Sequence, residues 1–192
     1  MTTIAVVYHS GYGHTEVIAK AVAEGVARGG ATANLLKIEN ASQDFSEFLA
    51  AIDAADGVIW GAPTYMGSLS APFKAFADAT SKAWMKGAWK NKVAAGFTNS
   101  GSMSGDKLLS LFQLVTLAAQ HGMIWVGLAE MPNSGYSKPA GDPDAINRLG
   151  STLGVMAQSD NKAPAESPPE GDKESARLLG ARVAEVAKKL AA

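Results

Sequence analysis

Apolar positions along the chain fall into two alternating periods. Ile4 to Tyr8 is a short run rich in β-branched residues, which predicts a strand. Val17, Ile18, Ala21, Val22, Gly25 and Val26 then recur at helical spacing, which predicts a helix with one apolar face. On its other face Glu16 precedes Lys20 and Glu24 precedes Arg28 at i, i+4, the favourable order for a solvated surface, and Gly29-Gly30 ends the helix. The pattern repeats with strands over Thr32 to Ile38, Gly57 to Gly61, Lys92 to Phe97 and Met123 to Leu128. Between them lie helices over Phe45 to Ile52, Phe73 to Met85 and Lys107 to Gln120. Leu179, Val183, Val186 and Leu190 mark a last helix, with Arg177, Arg182, Glu185, Lys188 and Lys189 turned elsewhere.

Strands as continuously apolar as Val58-Ile59-Trp60 and Ile124-Trp125-Val126 suit a sheet covered on both faces, and helical crossovers require parallel pairing. The expected fold is a doubly wound α/β sheet of five parallel strands. From Pro132 to Gly171 the pattern lapses into Pro, Gly, Ser, Asn and Asp, with helical character only over Ile146 to Met156, which reads as a long surface excursion. No internal repeat occurs, and Ala163 to Glu170 is too short for a linker, so a single domain over residues 1–192 is expected.

Composition narrows the chemistry. With 47% hydrophobic residues the chain can fill one core, and 17 Lys plus Arg against 18 Asp plus Glu leave a net charge of -1. No field draws in nucleic acid or an anionic membrane. The absence of cysteine excludes disulfides, Fe–S clusters, Cys-based zinc sites and thiol nucleophiles, and 3 histidines offer little for a metal site. The segment from Met1 to Tyr8 lacks a basic region and its apolar run stops at His9, so no signal peptide is expected and the location reads as cytoplasmic. No apolar run approaches the roughly 20 residues of a spanning helix, so membrane insertion is not expected.

In an open α/β sheet ligands bind outside the carboxyl ends of the strands. Three unusual loops follow the first, third and fourth strands. The first, His9-Ser10-Gly11-Tyr12-Gly13-His14-Thr15, runs into a helix start and reads as a phosphate cradle of small residues and hydroxyls, or as a plain glycine-rich turn. It lacks the Gly-Lys-Ser/Thr ending of a nucleoside triphosphate site. Glu16 stands where a dinucleotide fingerprint wants a third glycine, so one terminal monophosphate fits best. The second loop spans Gly61 to Ser70 ahead of Pro72, and the third spans Phe97 to Gly105.

These residues resemble the flavodoxin-like, FMN-dependent quinone reductases of the tryptophan-repressor-binding-protein (WrbA-like) type. The resemblance runs almost end to end. It is carried by Ser10-Gly11-Tyr12-Gly13-His14, Pro63-Thr64-Tyr65-Met66-Gly67-Ser68-Leu69-Ser70, Trp84 with Gly87, Thr98 to Gly101, and Gln120-His121-Gly122-Met123. It implies a flavodoxin-like strand order 2-1-3-4-5, FMN as cofactor, NADH or NADPH as donor and a quinone as acceptor. By resemblance Ser10, Tyr12, Gly13, His14 and Thr15 hold the phosphate. Pro63, Thr64, Tyr65, Met66 and Gly67, with Thr98, Asn99, Ser100 and Gly101, surround the ring. His121 lies beside the flavin as the catalytic candidate, and Trp84 walls a neighbouring subunit's substrate pocket, which implies a homodimer or homotetramer. The chain departs from better-known members around Glu39 to Asp53, where it is shorter, over Gln158 to Ala165, which lacks their glycines, and at Tyr65, where they carry arginine.

Residue chemistry alone gives several of these positions a plainer role. His121 before Gly122 reads equally as a helix-end residue, His14 as a loop residue offering its backbone, and His9, Trp60 and Trp125 as structural. Trp84, Met85 and Trp89 around Gly87 form an apolar cluster that a monomer would not expose. The alternative function is a flavodoxin-like electron carrier serving protein partners. That reading expects an acidic docking face and an aromatic on the third loop, and Ser100-Gly101-Ser102 offers no ring.

Overall fold

The computed structural model describes residues 1–191. Its elements run β1 (Thr3–His9), α1 (His14–Arg28), β2 (Thr32–Ile38), α2 (Ser46–Ala54), β3 (Gly57–Tyr65), β4 (Ser68–Leu69), α3 (Ala71–Ala79) and α4 (Ser81–Met85). There follow β5 (Val93–Ser100), α5 (Lys107–Gln120), β6 (Ile124–Trp125), β7 (Val155–Gln158) and α6 (Glu170–Ala191). The sheet order is β2-β1-β3-β5-β6, with β7 also pairing β5, and all these neighbours are parallel. With the two-residue hairpin strand β4 set aside and β6 and β7 taken as two parts of one edge, this is the expected flavodoxin-like 2-1-3-4-5 order.

Each sheet face carries its own core. Ile4, Val6, Ile59 and Phe97 pack under α1 and α6 with Ile18, Val22, Leu179 and Val183. Val7, Val58, Trp60 and Ala94 pack with Phe48, Phe73, Phe76, Leu111 and Leu114 from the helices of the other face. β1, β3 and β5 are covered on both sides, which is why their sequences lack polar alternation. No helix among the described residues is long and apolar enough to cross a membrane.

The structure corrects three expectations. The edge strand predicted over Met123 to Leu128 pairs regularly only at Ile124–Trp125, because Leu128 N–H bonds the Thr152 carbonyl (3.1 Å) and the chain leaves the ladder. It returns as β7, which completes the edge where a featureless excursion was expected. Helix over Ile146 to Met156 does not form. Asn147 (φ 46°) and Gly150 (φ 68°) break it, and the Asn147 amide bonds the carbonyls of Glu130 and Ser151 at 2.7 and 2.9 Å, favouring a turn. The helix predicted over Phe73 to Met85 divides at Thr80, whose hydroxyl donates back to the Ala77 carbonyl at 2.7 Å. Pro72 sits in the first turn of α3, where its missing N–H costs nothing.

Candidate functional site

The carboxyl ends of β1, β3 and β5 lie side by side and release the three loops at one edge of the sheet. The first loop turns into α1 at Gly13 (φ 90°) with no side-chain cap. The N–H groups of His14 and Thr15, in the first helical turn, therefore have no intrahelical acceptor. Ser10 Oγ accepts the Glu16 N–H at 3.1 Å, which leaves its own proton free to donate. Glu16, an acid that on its own would repel a pyrophosphate, is paired with Lys20 (2.8 Å) and Lys37 (3.3 Å), which hold its carboxyl below the usual range. Thr15 is buried. Together these groups form a donor cluster at the positive end of a helix, suited to a phosphate without Lys or Arg contact.

The second loop is largely strand. β3 continues through Pro63 and Thr64 to Tyr65, then turns through Met66 (φ 50°) and Gly67 (φ 78°) into β4. Two successive positive φ values are the signature of a tight hairpin turn, and they place Met66 fully exposed at its tip. Tyr65 leans back over the first loop. Its hydroxyl lies against Gly11, where a β-carbon would sit 2.5 Å from the oxygen, and its ring meets Tyr12 edge-on with centroids 6.3 Å apart.

Thr64 and Thr98 turn their hydroxyls into the protein. Thr98 is fully buried and its hydroxyl donates to the Ala62 carbonyl at 2.8 Å. Since a hydroxyl has one proton, Thr98 Oγ1 accepts from Thr64 Oγ1 (2.7 Å), which accepts from Ser110 Oγ (2.7 Å). The chain is thereby directed from α5 to the second loop, and it locks the second loop to the third. Asn99 Oδ1 likewise accepts from Ser159 Oγ at 2.8 Å. These residues offer a ligand their backbone, while Ser10, Tyr12 and Tyr65 keep polar side-chain atoms near the opening.

Sequence reasoning missed the segment after β7. Ser159 N–H bonds the Ser100 carbonyl (3.0 Å), Pro164 packs against Gly13, and His14 Nε2 lies 2.9 Å from the Lys162 carbonyl. A strap over 159–166 thus borders the phosphate cradle. Its sequence, Ser-Asp-Asn-Lys-Ala-Pro-Ala-Glu, carried no signal beyond loop.

His121 and Trp84 lie elsewhere. α5 leaves the third loop and has 14 residues, so His121 at its far end stands about 21 Å along the helix from that loop. The chain does not bring His121 to its own loops. The imidazole is buried, stacks on Trp89 at 4.3 Å and meets Thr80 Oγ1 at 2.9 Å. Because the Thr80 hydroxyl proton goes to Ala77, His121 Nε2–H is the donor and Nδ1 is left with a lone pair and no partner among the described residues. Burial pushes its pKa down, so the ring is neutral at pH 7.

The expected cluster around Gly87 is reduced, since Trp89 is fully buried with its indole N–H on Asp53 at 2.6 Å. Trp84 stays 48% exposed and lines, with Leu69, Leu109, Phe112, Leu117 and His121, a groove of about 600 Å³ between α3, α4 and α5. Trp60 and Trp125 sit in the sheet as expected. His9 is buried in β1, where desolvation lowers its pKa.

Residues 4–136 match the family described as NADPH-dependent FMN reductase. The chain is 44% identical over 190 residues to "Flavodoxin FldP" of Pseudomonas aeruginosa, covering 99% of each. It is 32% identical over 211 residues to an "NAD(P)H dehydrogenase (quinone)" of Gluconacetobacter diazotrophicus, covering 100% of each. Among solved structures it is similar to the flavodoxin, WrbA-like protein from Agrobacterium tumefaciens, with TM-score 0.75, 46% identity, and 98% and 99% of the two chains covered.

Proposed function

From the NADPH-dependent FMN reductase family, to which this chain belongs, we propose an oxidoreductase that reduces quinones by two electrons at the expense of NADH or NADPH. FMN is the cofactor of this family of flavoproteins, and the residues present fit it. The observation that carries the reading is the uncapped start of α1, with the free donors of His14, Thr15 and Ser10 beside the interlocked second and third loops. Ser10, Tyr12, Gly13, His14 and Thr15 would hold the phosphate. The backbone of Pro63 to Gly67 and of Thr98 to Gly101 would hold the ring edges. When bound, FMN would supply the redox chemistry, a two-electron exchange between nicotinamide and quinone.

The chain's own part is to bind, orient and exclude water. Tyr65 and Tyr12 wall the opening above Gly11, and the strap at Lys162 closes the phosphate end. The third loop has no aromatic side chain between Thr98 and Gly105, which leaves a ring face open to substrate.

The same reading takes the protein as a homo-oligomer. Two copies paired along the α3–α5 groove would bury Trp84, Leu109 and Phe112, each about half exposed in the single chain, and the resemblance would then set Trp84 and His121 beside a neighbour's site. His121 then acts as a neutral imidazole beside a neighbour's ring. Domain organisation is taken as one unit over residues 1–192, and the location as cytoplasmic.

The electron-carrier reading is favoured by the name flavodoxin, borne by both the 44% identical relative and the 46% identical solved structure. Anaerobic titration separates the two. The reductase reading expects stoichiometric reduction by NADH or NADPH without a partner protein and repeated turnover with a quinone. The carrier reading expects neither nucleotide to reduce the protein unaided.

A further inference from the structure

Lys107 is fully buried in the first turn of α5, where a cation opposes the helix dipole. Its ammonium touches no carboxylate. It donates to Ser100 Oγ at 2.8 Å and to the Ser102 carbonyl at 2.6 Å, both in the third loop. The neighbouring Arg148 and Asp172 pair with each other, Nε on Oδ1 at 2.8 Å and the second nitrogen on Oδ2 at 2.9 Å, and both also bond Gln158. Two buried cations thus share one acid.

The approach to this arrangement is conformationally costly. Gly105 (φ 54°) and Asp106 (φ 52°) are both left-handed, and a β-carbon at Gly105 would lie 2.2 Å from Ser100 Oγ. A left-handed Asp with no capping bond is uncommon, and such strain persists where the surroundings enforce it. Desolvation lowers the Lys107 pKa to about 8, so the amine is charged at pH 7.

The clamp fixes the loop's polarity. Three successive carbonyls are engaged from the protein side: Ser100 by Ser159 N–H (3.0 Å), Gly101 by Gln158 Nε2 (3.0 Å) and Ser102 by Lys107. In a trans peptide the next N–H points opposite to the carbonyl. The N–H groups of Gly101, Ser102 and Met103 are therefore turned away from these partners. Successive free backbone donors form a site for negative charge.

Resting on the functional reading above, we propose that Lys107 is a positioning residue that turns the third-loop N–H groups toward the flavin and, by its uncompensated charge, favours the reduced, more negative cofactor. Gln158 assists at Gly101.

The test compares parent holoprotein with Lys107→Met and Gln158→Leu. FMN affinity is read by fluorescence, the midpoint potential by anaerobic dye equilibration, and folding by thermal melting. Lys107→Met is expected to weaken binding of reduced relative to oxidised flavin about tenfold, a drop of about 30 mV for a two-electron couple. Gln158→Leu is expected to move the potential the same way by less. Unshifted potentials in folded variants overturn the proposal. If Lys107→Met does not fold, an unshifted Gln158→Leu overturns it alone. A parent that binds no FMN contradicts the functional reading and this inference with it, whereas a flavin-loaded parent with unshifted variants contradicts only this inference.

Discussion

His14 Nε2 lies 2.9 Å from the carbonyl oxygen of Lys162, joining the first turn of α1 to a strap that arrives from the far end of the chain. The bond spans the phosphate cradle without using the backbone N–H of His14. Since a carbonyl can only accept, Nε2 carries the proton. His14→Ala therefore leaves the cradle donors in place and frees the strap. The FMN dissociation rate should rise about fivefold, the equivalent of one ordinary hydrogen bond of about 1 kcal/mol. Stopped-flow release into apoflavodoxin as a trap measures it, and an unchanged rate would show that the strap does not retain the cofactor.

Removing Ser10 and Thr15 hydroxyls acts on affinity. The Ser10→Ala, Thr15→Ala double variant should bind FMN more weakly by a few kcal/mol, because bonds to a charged phosphate contribute about 1.5–3 kcal/mol each. Equilibrium fluorescence quenching checks this. Equal affinity in variant and parent would return the first loop to an ordinary turn. The flavin released from the parent should be FMN by mass, and FAD at full occupancy would contradict the cradle's reading as a terminal-phosphate site. That reading now rests on the small span of the loop, because Lys20 and Lys37 offset the repulsion expected from Glu16.

His9 and His121 set an acid limit. Burial lowers both pKa values, so the folded protein keeps them neutral while the unfolded chain takes up protons near pH 6.5. More protons on the unfolded side means that stability rises with pH. Their contribution is fully present above pH 6.5 and is lost as the pH falls from there through the lowered folded values. The melting temperature should decline between pH 7 and pH 5, and His121→Gln should flatten that decline. A pH-independent melting temperature in the parent would contradict the buried neutral imidazoles.

The groove makes a joint prediction for Trp84 and His121. Light scattering at micromolar concentration should show at least a dimer. Trp84→Ala should raise the quinone KM with FMN retained, and His121→Ala should keep FMN but slow turnover by removing a polar group beside a neighbour's ring. A fully active monomer would contradict the shared site.

Much of this architecture was readable from period alone. β2 and α5 fall where the pattern put them, one as a seven-residue run set off by Gly29-Gly30 and the other on a long apolar stripe. The edge of the sheet was not readable. Ile124–Trp125 and Val155–Gln158 are each too short to set a period, and their junction depends on a distant bond from Leu128 to Thr152. Glycines and hydroxyls marked the three loops that the sheet releases at one edge. The hydroxyl chain through Thr64, Thr98 and Ser110 was hidden, since threonine in a loop looks the same whether it faces a ligand or another strand. Lys107 marked only the start of a helix in the sequence, and the pattern carried no signal of its burial. His121 was legible as a candidate by resemblance, but the end of the molecule it occupies follows from the length of α5 and its direction.

The central claim is that the three loops hold FMN for reduction by a nicotinamide and reoxidation by a quinone. It is tested most directly by the absorbance spectrum of the protein loaded with FMN, followed anaerobically through addition of NADH or NADPH and then a quinone. The account predicts one flavin per chain, bleached by one equivalent of nucleotide in a single two-electron transition and restored by one equivalent of quinone. A protein that takes up no FMN, or whose flavin neither nucleotide reduces, would contradict it.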